Sequence, residues 1–167
     1  MDCILFRHGI ADDPNDWKGE DTLRPLTPEG KKKTRKAAAG LWQLGIRPAE
    51  LWSSPLTRAI QTAELIQQAL RAQRDIRIME ELRSDAPPEL LLLLLQALPA
   101  ESCVICVGHE PHLSALASVM LFGKSHGGLT FKKAGACLIH FAERTKAGRG
   151  ALEWWLMPSQ LRSLAKL

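Results

Sequence analysis

The residues of this chain best suited to chemistry are two histidines and two arginines in three short stretches. These are Arg7 and His8 in "LFRHG", Arg58 in "SSPLTRAIQTAE" and His109 in "CVGHEP". The apolar run from Cys3 to Phe6 reads as a buried strand, which has no use for two adjacent cationic side chains except at its open end. "SCVICVG" is a second continuous apolar run, closed by glycine, and it ends in a similar way. If the two strands are neighbours in one sheet, His8 and His109 emerge side by side above it. Arg58 falls in the first turn of a helix, where side chains lean toward the N-terminus, so its guanidinium reaches over the strand ends. The result is a pocket of two guanidiniums and two imidazoles. Planar arginine forks bind phosphoryl oxygens in bidentate fashion, and a neutral imidazole offers one ring nitrogen as a nucleophile. Such a pocket is suited to phosphoryl transfer.

The elements that must hold these residues alternate strand and helix. "DCILFR" and "SCVICVG" read as central strands, "ELWSS" as a short one and "IRIM" as an edge strand. "LTPEGKKKTRKAAAGLWQLG" is expected to be a helix capped by Thr27, begun by Pro28 and stopped at Gly45. "SPLTRAIQTAELIQQAL" is expected to be a second helix with Ser54 as its N-cap and Pro55 first, its apolar residues following the helical period. "PPELLLLLLQAL" and "PHLSALASVMLFG" are a third and a fourth, and "GACLIHFA" and "ALEWWLM" are strands joined through a turn at "AGRG". The pattern implies one domain over residues 1–167: an α/β layered sandwich with a mainly parallel central sheet flanked by helices, its last strands antiparallel at an edge.

Together, "RHG" at the end of the first strand, the "S-x-L-x-R-A-x-Q-T-A" helix start and the late "GH" resemble the histidine phosphatase superfamily. The small size resembles its SixA-type phosphohistidine phosphatases, and "RPLTPEG" at residues 24–30 is similar to the family's lead into its first helix. The resemblance spans essentially the whole chain and implies a phosphoglycerate-mutase-like fold. It implies that Arg7, His8, Arg58 and His109 are the catalytic and phosphate-binding residues, with His8 phosphorylated in turn and His109 stabilising charge. No metal or other cofactor is implied, since the arginines and His109 supply the positive charge.

The chain departs from the larger members of the family at the general acid. Those members carry it on a helical insertion over the site, whereas the stretch "MEELRSDAPPELLLLLL" leaves no room for a lid. Glu81, Asp85 and Asp12 are candidates, with Asp13 and Asp16 beside them, and the sequence does not choose. An imidazole of pKa near 6.5 leaves with little protonation, whereas an alcohol does not. An open site with a weak acid therefore suits phosphohistidine on a protein better than a sugar phosphate. The alternatives are a broad small-molecule phosphomonoesterase and a non-catalytic phosphate-binding module.

Other features invite plainer readings. Cys103 and Cys106 form C-x-x-C, but three-residue spacing in a strand points them to opposite faces. Four cysteines in a chain of this length need no disulfides. "GHEPH" places His112 three residues after His109 across a proline, unlike the four-residue spacing of helical zinc motifs, so His112 is assigned to the helix surface or to a place behind the site. His126 and His140 read as loop and strand residues without catalytic duty. Trp154 and Trp155 must face opposite sides of a strand, and Trp17 either lines the pocket mouth or simply packs. "KKKTRK" reads as a solvated helix face. A formal charge of +4 is modest, and no aromatic-interleaved basic stripe accompanies it, so nucleic acid is not an expected partner. The longest apolar run is too short to cross a bilayer and nothing resembles an export signal, so a cytoplasmic monomer acting on a protein substrate away from membranes is expected.

Overall fold

A computed structural model describes residues 1–166. Six strands form one sheet: β1 (Asp2–Arg7), β2 (Glu50–Ser53), β3 (Ile76–Ile78), β4 (Cys103–Gly108), β5 (Ala136–His140) and β6 (Ala151–Leu156), in the order β3-β2-β4-β1-β5-β6. The first four in that order pair in parallel, and β5 and β6 run antiparallel at one edge. Parallel β1 and β4 are in register, Arg7 opposite Gly108, so the residues that follow each strand leave the sheet together.

The helices are α1 (Pro28–Gln43), α2 (Thr57–Leu70), α3 (Pro88–Leu95), α4 (His112–Phe122) and α5 (Pro158–Leu164). They cover both faces. Cys3 and Leu5 of β1 join Val104, Cys106, Leu91, Leu95 and Leu116 in a core under α3 and α4. Ile4 and Phe6 point the other way, to Ile105, Val107, Ala37, Leu41, Ala63 and Leu161 under α1, α2 and α5. All four β1 residues are fully buried, as an unbroken apolar strand between two helical layers requires. Burying each side chain of this size contributes about 1.5–3 kcal/mol, and the strand that carries the reactive pair is thereby held rigidly.

Local chemistry explains most element ends. Thr27 Oγ1 accepts from the Gly30 amide at 2.9 Å, the expected cap of α1, and Gly45 has a left-handed φ of 76° just past the helix. The second cap differs from expectation. α2 begins at Thr57 with Leu56 as N-cap, and the Ser54 hydroxyl accepts from the Leu56 amide at 3.4 Å while it also meets His109 Nε2 at 2.8 Å. Helix α5 was not foreseen in the sequence. Its Leu161 is buried, and α1 admits it at Gly40, where a β-carbon would come 2.1 Å from the Leu161 carbonyl oxygen. Cys103 and Cys106 join opposite core layers, as their spacing requires, and so do Trp154 and Trp155. All four cysteines are free thiols. Among the described residues no helix is long and apolar enough to cross a membrane.

Candidate active site

The four motif residues meet over the carboxyl ends of β1 and β4, where ligands bind in parallel sheets. They line one pocket of about 250 Å³. The His8 and His109 rings lie 4.9 Å apart, tilted by 52°. Both are almost fully buried, as is Arg58 at 7% exposure. The His8 amide donates to the Gly108 carbonyl at 3.1 Å, extending the β1–β4 ladder into the site.

His8 Nδ1 lies 2.7 Å from the Gly9 carbonyl oxygen. A carbonyl only accepts, so Nδ1 carries the proton and Nε2 keeps its lone pair. Burial, and then the neighbouring His109, push the His8 pKa down to about 2, so the ring is neutral. The turn after His8 is tied to α2 by Thr62, whose hydroxyl accepts from the Gly9 amide at 3.0 Å and donates to the Arg58 carbonyl at 2.7 Å. Gln61 Oε1 accepts from the Leu26 amide at 2.8 Å and fastens the "RPLT" segment to the same helix. The "Q-T" of the helix motif thus fixes the spacing of His8 and Arg58.

His109 differs. Its Nε2 lies 2.8 Å from Ser54 Oγ, a group that can both donate and accept. Burial, followed by the Arg58 charge, lowers its pKa to about 3. Its Nδ1 is buried without a protein partner, as are Nε of Arg7 and of Arg58. Three polar atoms of the motif residues are thus buried without a hydrogen-bond partner in the protein.

Arg7 Nη1 donates to the Phe131 carbonyl at 2.6 Å. Arg58 is braced by a residue the sequence reading did not single out: Nη1 donates to the Asp21 carbonyl at 2.7 Å and Nη2 to Asp21 Oδ2 at 2.9 Å. Asp21 also accepts from Arg24 Nε at 2.8 Å, and Arg24 lines the pocket. Burial opposes ionisation of Asp21, but the hydrogen bonds from Arg24 and Arg58 outweigh it and hold the carboxyl below its usual range. Burial also lowers both motif arginines, with Glu110 opposing it at Arg7 and Asp21 at Arg58.

The expected carboxylates do not reach this pocket. Asp12 lies beside it only through its backbone carbonyl, which accepts from Arg24. Asp13 is turned to Asn15, and the exposed Asp85 pairs with Arg83 at 3.6 Å. Glu81 sits in the 3-10 turn Glu80–Leu82 and Asp16 in a loop turn, outside the lining. The only carboxylate among the described lining residues is Glu110, which follows His109 directly, and its Oε1 accepts from Ser114 Oγ and the Phe131 amide. Its place next to the second motif was the signal for it. His112 is not on the helix surface: it is 2% exposed at the start of α4, with both ring nitrogens unpartnered, and burial lowers its pKa. Trp17 donates to the Glu20 carbonyl and stays outside the lining. His140 pairs with Asp2 at the far end of β1.

Residues 3–84 match the family model of the histidine phosphatase superfamily (branch 1). An uncharacterised protein of Picosynechococcus sp. is 36% identical over 137 residues, covering 81% of this chain and 82% of that protein. Phosphohistidine phosphatase SixA of Escherichia coli (strain K12) is 26% identical over 164 residues, covering 97% of each. The structure of protein histidine phosphatase SixA complexed with tungstate superposes with a TM-score of 0.85 at 25% identity, over 96% of this chain and 99% of that one. The chain belongs to the histidine phosphatase superfamily. Its fold is that of the phosphoglycerate-mutase-like members, and the superfamily's phosphatase chemistry fits the cationic pocket just described.

Proposed function

We propose that this chain removes phosphoryl groups from phosphohistidine on proteins through a covalent intermediate on His8. Arg7 and Arg58 hold the phosphoryl oxygens. His8 Nε2 attacks phosphorus, the bond from phosphorus to the substrate imidazole breaks, and that imidazole takes a proton from solvent. Water then attacks the phosphorylated His8, the new P–N bond breaks, and inorganic phosphate leaves. Burial, and then the Arg58 charge, hold His109 neutral, and it gains a proton as the phosphoryl dianion offsets them, so it matches the charge that develops in transfer.

The observation that carries the choice of substrate is the condition of Glu110. Glu110, the only carboxylate among the described lining residues, is fastened through Oε1 by two donors, Ser114 Oγ and the Phe131 amide. A leaving alcohol needs a proton from such a group, whereas imidazole leaves near neutral pH with little help. The segment between β3 and α3 supplies only a 3-10 turn and a short loop, which leaves the pocket open to a side chain presented by a folded protein. Similarity to SixA supports the same reading.

The test compares three substrates with the purified protein: a phosphohistidine protein, a phosphoserine peptide and an aryl phosphate. Phosphohistidine should react fastest and the aryl ester measurably, with phosphoserine slowest, and Glu110→Gln should retain most phosphohistidine activity. Fastest turnover of the alkyl phosphate, or loss of phosphohistidine activity in Glu110→Gln, would overturn the reading in favour of a small-ester phosphatase.

A further inference from the structure

A second and larger cavity, of about 450 Å³, opens beside the phosphoryl pocket and shares Arg7 and Lys133 with it. Its walls come from three elements: Lys33 and Thr34 of α1, Lys132 and Lys133 of the loop before β5, and Pro158 and Arg162 of α5. Every ionisable residue of the lining is a cation, five in all with Arg7, and none is a carboxylate. Two acids stand near these walls: the exposed Glu29, 3.2 Å from Lys33 on the same helix, and Asp13, whose charge acts on Lys133. Burial, and then Arg7 and Arg24, lower the Lys133 pKa, and Asp13 opposes them only in part. An anion placed there would be drawn by several charges at once.

We propose that this groove seats an acidic segment of the substrate protein, next to the residue whose phosphoryl group enters the adjoining pocket. The proposal rests on the protein-phosphatase reading and adds its specificity. A cavity this size exceeds what one phosphate fills, and Ile10, Ala134 and Pro158 give it an apolar floor between the charges, as a peptide with aliphatic stems and carboxylate tips requires. The shared Arg7 and Lys133 make the two sites continuous. A chain lying in the groove therefore delivers its neighbouring side chain to His8. α5 packs on α1 at Gly40, and the groove takes Arg162 from the one helix and Lys33 from the other.

The test uses the full chain and the paired variant Lys132→Glu with Arg162→Glu, neither residue lining the phosphoryl pocket. A fluorescent decapeptide of aspartate and glutamate, carrying no phosphate, is titrated by anisotropy at two salt concentrations. The wild type should bind it, the variant should bind about tenfold or more weakly, and the wild-type affinity should fall with salt. This arm does not depend on phosphohistidine hydrolysis. In the kinetic arm the variant should raise KM for the phosphohistidine protein by about tenfold and leave aryl phosphate turnover unchanged. Lys132→Ala with Arg162→Ala should give smaller losses in the same direction, which separates charge from misfolding. Equal peptide binding by the wild type and both variants would overturn the groove assignment. So would much tighter, variant-sensitive binding of inorganic polyphosphate than of the peptide. Peptide binding as expected with no turnover of any phosphohistidine protein would instead overturn only the substrate reading above.

Discussion

The two strand ends that build the site read almost alike, "FRHG" after β1 and "VGHE" after β4, and they pair in register, yet they hold their histidines in different ways. His8 faces the Gly9 carbonyl, an acceptor with no proton to give, so its tautomer has one answer. His109 faces the Ser54 hydroxyl, which can turn either way, so its ring can be neutral or protonated without losing the bond. A fixed tautomer suits a group that must always present the same lone pair. An adjustable one suits a group whose charge must change when phosphate arrives. The same residue type, burial and strand geometry thus give two chemical roles through one second partner each.

The largest effect that would sharpen this contrast is His8→Ala. Turnover should fall by roughly ten-thousand-fold or more, and no label should remain on the protein after an alkaline quench with labelled substrate. Retained activity would end the nucleophile assignment. Next is His109→Asn, which keeps the nucleophile and removes the charge. Its rate should fall by about a hundred- to a thousandfold, the usual cost of losing one donor to a developing charge, while label still appears on His8. If both variants lost the label equally, the division of roles would be wrong.

Acid unfolding gives a third, smaller measure. The folded pKa values of His8 and His109, about 2 and about 3, lie below the ordinary 6.5, so the unfolded chain binds more protons throughout the interval between them. Stability is therefore complete above pH 6.5 and drains away as pH falls, by up to about 1.4 kcal/mol per pH unit for each ring. In denaturant titrations His8→Asn and His109→Asn should each flatten the decline below pH 6. Added inorganic phosphate should protect the wild type more than His109→Asn. The smallest effect belongs to Ser54→Ala, which should slow turnover several-fold, on the order of 1 kcal/mol for a buried hydrogen bond. It should move the pH–rate profile while leaving labelling of His8 intact.

Much of this architecture is legible in the sequence. The alternation of strand and helix, the central place of "CILF" and "CVICV", the antiparallel edge and the convergence of Arg7, His8, Arg58 and His109 follow from short-range pattern and the rules of parallel sheets. What escaped depended on distant partners. Ser54 has all the local marks of a helix cap, and only the approach of β4 shows that its hydroxyl also meets His109. Asp21 looks like one more loop acid until α2 brings Arg58 beneath it. The carboxylates favoured by nearness in sequence were drawn off by local partners, Asp13 by Asn15 and Asp85 by Arg83, while Glu110 was overlooked in plain view. Helix α5 spans only seven residues, too few for a periodic signal, and its sole buried side chain, Leu161, is meaningful only against Gly40.

The position of β1 also governs how the protein is made. It is the second residue to the seventh of the chain, yet its two neighbours in the sheet are residues 103–108 and 136–140. On the ribosome the strand that leads into His8 emerges well before β4 and β5, and it waits for them before either edge is covered. Pairings of such long range close slowly, so "ILF" spends that interval as an exposed apolar segment with both edges unpaired. Activity should therefore be acquired late in refolding, together with protection of the β1 amides from hydrogen exchange rather than with the earlier growth of helical signal. Arg7 and His8 are translated before both strands that flank them and are among the last residues to find their place.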